Sequence, residues 1–321
     1  MELRAAAVRF GYRGAPSRPA GVFDLVVDGR LAGQASHDTA TVIIIDLVTG
    51  EQEIRPAGVD TITFPDLPPG EKYVELWLPH NENVELAELL TDAPVRPTDR
   101  RRPIWVHHGS SISQGSNADH PTGTWPAIAA RSAGVDLVDL GFGGSALLDP
   151  FTARTIRDTP ADLISLKIGI NLVNTDLMRL RAFAPAVHGF LDTIREGHPT
   201  APLLVISSIL CPIHEETPGP AMPDLTGLVE GRLSFRATGD PTDPTRLTLT
   251  TIRRELARLC SERAKRDPNL HYLDGRELYG EEDAVELPLP DELHPDAATH
   301  RRIGERFAER AFGDGGPFAD D

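Results

Sequence analysis

The first hundred residues carry short runs of β-branched and aromatic side chains. VFDLVVDG (22–29), TVIIIDLVTG (41–50), DTITFPDL (60–67) and YVELWLPH (73–80) are separated by Gly, Pro and Asp. Such side chains suit a pleated, half-buried surface, and the residues between them suit turns. Dense short strands without a helical repeat predict a small all-β sandwich, jelly-roll-like, over residues 1–95. The stretch DAPVRPTDRRRP, with its prolines and charge run, predicts a linker over 96–103.

From residue 104 the period changes. IWVHHGSS, VDLVDLGF, ADLISLKIG, LLVISSIL and LHYLDG read as buried strands. Between and after them lie helical segments. These are GTWPAIAARSAG, a stretch ending near Pro160, MRLRAFAPAVHGFLDTIREG, RLTLTTIRRELARLCSERAKRD and ATHRRIGERFAERAF. Pro185 predicts a bend or break in the third of these. Strands alternating with helices imply a parallel sheet covered on both faces, over residues 104–313. Residues 211–245 form a long Pro- and Gly-rich connection, the kind that serves as a lid or binding loop. The end, 314–321, reads as a disordered tail.

Composition narrows the function classes. The chain has 321 residues, 40% hydrophobic and 25% charged, with a formal net charge of -16. An acidic chain without a basic stripe suits neither nucleic acid nor an anionic membrane surface. No run approaches 18 apolar residues, and the start lacks the apolar segment of a signal peptide. Two cysteines, Cys211 and Cys260, read as unpaired thiols in a reducing compartment, with a single disulfide between them as the alternative. The expected location is therefore cytoplasmic.

Ligands of open parallel sheets bind beyond the carboxyl ends of the strands. Four such ends here carry chemistry. The first leads into Gly109-Ser110-Ser111, the second into Gly141-Phe142-Gly143-Gly144, the third into Gly169-Ile170-Asn171. The last connection reads Asp291-Glu292-Leu293-His294-Pro295. A serine hydroxyl needs a base to become a nucleophile, and His294 can supply it. Asp291 can hold the other imidazole nitrogen. The backbone N–H groups of Ser111 and Gly144 and the Asn171 amide are candidate donors to an oxyanion. Ser110 competes with Ser111, but the nucleophile's place, two residues past the strand end, favours Ser111. Ser145 reads better as a helix cap.

These motifs resemble the SGNH (GDSL) hydrolase superfamily, whose four motifs carry Ser, Gly, Asn and His in this order. The resemblance covers roughly residues 103–312. Here Gly-Ser-Ser stands in place of Gly-Asp-Ser, and Gly-Ile-Asn-Leu lacks the Asp that often follows the Asn. The resemblance implies a flavodoxin-like three-layer α/β/α fold, ester, thioester or acyl-sugar substrates, and no metal or other cofactor. Some carbohydrate esterases and natural-product acyltransferases of this superfamily carry an N-terminal β-sandwich, and WLPHNENVELAELL (77–90) looks like the end of one.

Three functions follow as expectations. The first is a serine esterase removing a short acyl group, acetyl foremost, from a sugar-like or small-molecule alcohol. The second is an acyltransferase using the same residues. The third is a non-catalytic carbohydrate-binding protein. His108, His80 and Asn81 are candidate substrate contacts. Neighbouring strand residues face opposite sides, so His107 and His108 cannot both line one site. One packing in the core and one in a structural hydrogen bond is the simplest reading. A zinc site built from them with His294 or His300 is the alternative. The expected partners are a small ester substrate and, as the commonest closed assembly, a second copy of the chain.

Overall fold

The computed structural model describes all residues except 14–18, 47–48, 99–100, 225, 227–232 and 320–321. The chain forms two compact units. One holds Met1–Arg101 together with Ala118–Gly123; the other holds Arg102–Asn117 and most of the chain after Gly123.

The first unit is built on β1 (Glu2–Tyr12), β2 (Val22–Val27), β3 (Arg30–Ser36), β4 (Thr41–Ile45), β5 (Gln52–Arg55), β6 (Asp60–Thr63), β7 (Val74–Trp77) and β8 (Asn83–Leu90). One sheet runs β5-β4-β1-β6 with β8 also paired to β1; the other runs β3-β2-β7. In β1 the residues Leu3, Ala5 and Ala7 are buried while Glu2 and Arg4 are exposed, the period of a strand with one wet face. Leu3 stands opposite Ile62 of β6 and Leu89 of β8. The core between the sheets is Leu3, Ala5, Phe23, Leu25, Val27, Ile62 and Phe64. The stretch NVELAELL is rich in Leu, Glu and Ala, good helix formers. Pairing with β1 overrides that preference and makes it β8.

A carboxylate sits inside this unit. Asp24, on β2, is fully buried. It accepts hydrogen bonds from Gln34 Nε2 (2.8 Å), the Thr122 backbone N–H (2.9 Å), the Thr122 hydroxyl (2.6 Å) and His120 Nδ1 (2.7 Å). The segment Ala118–Gly123 thus belongs to the sandwich unit through Asp24. Burial alone would raise the Asp24 pKa, but the bonds from Thr122, Gln34 and His120 outweigh it and lower it.

The second unit carries β9 (Ile104–Ser110), α1 (Ser111–Gln114), α2 (Trp125–Ala133), β10 (Asp136–Phe142), α3 (Pro150–Asp158), β11 (Leu163–Ile168), α4 (Ile170–Asn174), α5 (Leu180–Gly197) and β12 (Leu203–Ser207). It continues with α6 (Pro212–Glu215), β13 (Ala221–Asp224), β14 (Ser234–Ala237), α7 (Leu249–Ala264), β15 (Leu270–Leu273), α8 (Glu281–Glu286) and α9 (Ala297–Phe307). The main sheet is parallel, in the order β10-β9-β11-β12-β15. Counted along the chain within this sheet, the order is 2-1-3-4-5, which is flavodoxin-like.

Strand parity divides the core into two layers. Val106, Ile164, Leu166, Leu203 and Val205 pack with α3, α5 and α7. Trp105, Leu204 and Ile206 pack with Ile112, Trp125, Ala129, Ile303 and Phe307 on the other face. Both faces are covered, so the strands read as continuous apolar runs.

Three expectations are corrected. Pro185 lies inside α5, which runs unbroken from Leu180 to Gly197 and buries Phe183, Val187, Phe190, Leu191 and Ile194. Packing of that apolar stripe outweighs the one backbone donor proline lacks. The 211–245 connection is not structureless: it folds into α6 and the antiparallel pair β13–β14. The tail is packed as far as Phe318, which is 5% exposed and whose ring lies tilted against Phe312, centroids 5.4 Å apart. Its Asp- and Gly-rich composition masked a single aromatic anchor. Among the described residues no helix is long and apolar enough to cross a membrane.

Asp24→Ala leaves four donors without their acceptor and is expected to lower unfolding free energy by about 3 kcal/mol at neutral pH. The sign of the pH dependence follows from the lowered pKa. Stability from Asp24 is fully present above the ordinary carboxylate value and is lost as pH falls through the folded-state value. In urea unfolding curves, the gap between wild type and Asp24→Asn should therefore narrow below about pH 4. A gap independent of pH would show that the carboxylate charge plays no part.

Candidate active site

Strand β9 delivers the serine. Ser110 ends it as the cap of α1, with its Oγ accepting from the Ile112 N–H at 3.3 Å, and is itself 1% exposed. Ser111 is the first helical residue, so its hydroxyl is the one left for chemistry. The short helix closes at Gly115, whose φ of 106° suits glycine. The end of β10 comes close to this turn. A Cβ at Gly141 would collide with the Gln114 backbone, and one at Gly143 would press on the Gln114 side chain.

The base arrives from the far end of the chain. Ser111 Oγ lies 3.0 Å from His294 Nε2, and His294 Nδ1 lies 2.7 Å from Asp291 Oδ2. The other carboxylate oxygen accepts from the Leu293 and His294 backbone N–H groups at 3.0 and 2.6 Å. Glu292, between them, has φ +67°, a left-handed conformation that costs a non-glycine residue about 1 kcal/mol or more. That turn lets Asp291 fold back onto His294. Burial pushes the Asp291 pKa up, but the bonds from the His294 ring and backbone prevail and lower it, so it stays a carboxylate.

Two further residues sit on the turns after β10 and β11. Gly144 has φ +72° and open space where a side chain would be. Asn171 is 1% exposed, and its Oδ1 accepts from the Ala146 N–H at 3.1 Å. That bond fixes the amide orientation and leaves Nδ2 as a donor. A hydroxyl, an imidazole held by a carboxylate and a set of N–H donors is what acyl transfer requires.

Not every expected residue joins this group. His108 is 3% exposed; its Nδ1–H donates to the Leu140 carbonyl at 2.7 Å and its ring packs against Phe142 and Phe190. It is a core residue, not a substrate contact. His107 faces the other layer, with its nitrogens at 2.7 Å from Ser165 Oγ and 2.8 Å from Ser113 Oγ. His300 bonds the Trp125 N–H and the Ser116 carbonyl. Ring nitrogens of His107, His294 and His300 are thus engaged with protein groups, and among the described residues no cluster of three His, Cys, Asp or Glu side chains could hold a metal. His80 and Asn81 lie in the first unit, half-buried in the turn between β7 and β8.

Phe235 was not legible in the sequence. It lies on β14, with its N–H donating to the Asp291 carbonyl at 3.0 Å and its ring edge-on to His294, centroids 6.0 Å apart. Nothing in a long Pro- and Gly-rich connection marks one aromatic as a neighbour of the histidine.

A parallel sheet of this order, with a serine, a glycine turn, an asparagine and an Asp/His pair at its strand ends, defines an SGNH-type domain. The GDSL-like lipase/acylhydrolase family matches residues 108–302, and the chain belongs to that family. A search of curated proteins gave no match. Among solved structures, the salicylyl-acyltransferase SsfX3 from a tetracycline biosynthetic pathway is 30% identical, with TM-score 0.69, over 96% of this chain and 77% of that one. A GDSL-like lipase from Bacteroides ovatus is 20% identical, with TM-score 0.62, over 95% and 79%. A family two carbohydrate esterase from Clostridium thermocellum, in complex with cellohexaose, shares the fold at 14% identity and TM-score 0.59, over 96% and 86%. A strand-rich N-terminal domain before the parallel α/β sheet is thus shared with carbohydrate esterases.

Asp291→Asn keeps the shape of the loop but cannot hold the His294 tautomer in the same way. In steady-state ester hydrolysis its kcat is expected to fall by about 10⁴-fold with the fold intact. A loss under about tenfold would remove Asp291 from the chain.

Proposed function

We propose that this protein is a serine esterase that removes a short acyl group, acetyl foremost, from a sugar-like or small-molecule alcohol. The observation that carries the reading is the unbroken chain from Asp291 through His294 to Ser111 Oγ. Ser111 Oγ attacks the ester carbonyl while His294 Nε2 takes its proton. The tetrahedral oxyanion is received by the N–H groups of Ser111 and Gly144 and by Asn171 Nδ2. His294 then gives the proton to the departing alcohol, leaving an acyl-Ser111. Water, deprotonated by His294, attacks that ester and releases the acid.

A second reading keeps the acyl-enzyme and replaces water with an alcohol acceptor. Two observations favour it: the Phe235 ring lies against His294 and offers an apolar wall at the base, and the 30% identical relative is an acyltransferase. A purely sugar-binding role is disfavoured by the complete Ser, Gly, Asn, Asp and His set. Both cysteines are free and buried, and burial raises their pKa, that of Cys260 to about 12. Unpaired thiols suit a reducing compartment, and we assign the reaction to the cytoplasm.

A fluorophosphonate probe followed by p-nitrophenyl esters of increasing chain length tests this. Wild type should label, Ser111→Ala should not, and turnover should be greatest with the shortest acyl chains. Residual turnover in Ser111→Ala should be lower by about 10⁶-fold. Label retained in Ser111→Ala would sink the mechanism. Product partitioning with added alcohols separates the two readings: the free acid dominates for an esterase, the new ester for a transferase.

A further inference from the structure

The helix that carries Ser111 is four residues long. One turn has too few internal bonds to hold itself in place, so its position depends on what its side chains touch. Two of them point inward. Ile112 is 1% exposed and packs with the apolar layer, whereas Ser113 is fully buried and polar.

Ser113 Oγ meets His107 Nε2 at 2.8 Å. The other ring nitrogen, Nδ1, meets Ser165 Oγ on β11 at 2.7 Å, and that oxygen also accepts from Trp105 Nε1 at 2.9 Å. Trp105, His107, Ser113 and Ser165 are all fully buried. Burial above all, with the Lys167 charge nearby, holds the His107 pKa well below its ordinary value, so the ring is neutral. A neutral imidazole donates from one nitrogen and accepts at the other, so the two serine hydroxyls take opposite roles.

The seam has room only because residue 109 is glycine. A Cβ there would collide with Ser113 and come within 3.3 Å of His107 Nε2. The Trp125 ring closes the other side, edge-on to His107 at 4.7 Å. The far end of the seam matters as well. Ser165 belongs to the strand that runs into Gly169 and Asn171.

We infer that His107 is a positioning residue for the nucleophile: acting through Ser113, it ties the turn that carries Ser111 to the strand that carries Asn171. It touches no reacting atom. An apolar core would fill this space without needing matched donors and acceptors; what the polar seam adds is a fixed rotation and depth for α1. The inference rests on Ser111 being the nucleophile.

The test is the labelling rate with a fluorophosphonate, together with kcat and KM for a p-nitrophenyl ester. Ser113→Ala and His107→Phe should each lower kcat and the labelling rate by about tenfold, with KM within about twofold, because the serine is misplaced rather than the substrate released. The double variant should fall no further than the lower single variant. A Ser113→Ala protein that labels and turns over at the wild-type rate overturns the inference, as does a Tm loss without a kcat loss. Losses that multiply in the double variant overturn it too. Should His107→Phe fail to fold, Ser113→Ala decides alone, since it removes one oxygen. Label surviving in Ser111→Ala would instead sink the nucleophile reading; label lost there but full in Ser113→Ala would sink the positioning role alone.

Discussion

A 3.0 Å hydrogen bond joins Ser111 to His294 across 183 positions of chain. Neither residue can reach the other by local structure. Parallel strands make the meeting possible, because every β-to-α turn falls on the same edge of the sheet. The first strand deposits Ser111 there, the second and third bring Gly144 and Asn171, and the loop after α8 returns with Asp291 and His294. The covered faces of the sheet keep that edge rigid, with Trp105, Trp125 and Phe307 filling one layer and Phe183 and Phe190 the other.

Much of this was legible in the sequence, for a reason that differs by residue. Strand ends are readable because a buried parallel strand is a continuous apolar run followed by Gly or a polar residue. Ser111, Gly144, Asn171, Asp291 and His294 all stand just past such runs or in the loop before a helix. Parity along IWVHHGS also showed that His107 and His108 must part, but parity says nothing of what each side meets. The structure places His108 against Phe142 and Phe190, and His107 between two serines. Phe235 and the β13–β14 pair stayed hidden because antiparallel pairing within an irregular connection leaves too short a pattern. Phe318 stayed hidden because one aromatic does not outweigh an Asp- and Gly-rich tail.

Buried polar groups recur at the places where the chain must be held in one arrangement. Asp24 gathers four donors from β3 and from the segment 118–123. Trp105, Ser165, His107 and Ser113 form a second such group under α1. A lone Asp inside the apolar run VFDLVV was a signal of the first, since a buried carboxylate must find partners. Both groups are fully paired, and a paired polar group specifies geometry where an apolar contact only specifies volume.

The proposed mechanism passes through a covalent acyl intermediate on Ser111. Rapid acid quench during turnover of p-nitrophenyl acetate, followed by peptide mass spectrometry, tests it most directly. One acetyl group is expected on the peptide containing residues 109–115, with fragmentation placing it on Ser111 and not on Ser110 or Ser113, and none in Ser111→Ala. An acetyl group on another residue, or steady turnover without any acyl-enzyme in an assay able to trap it, would contradict it.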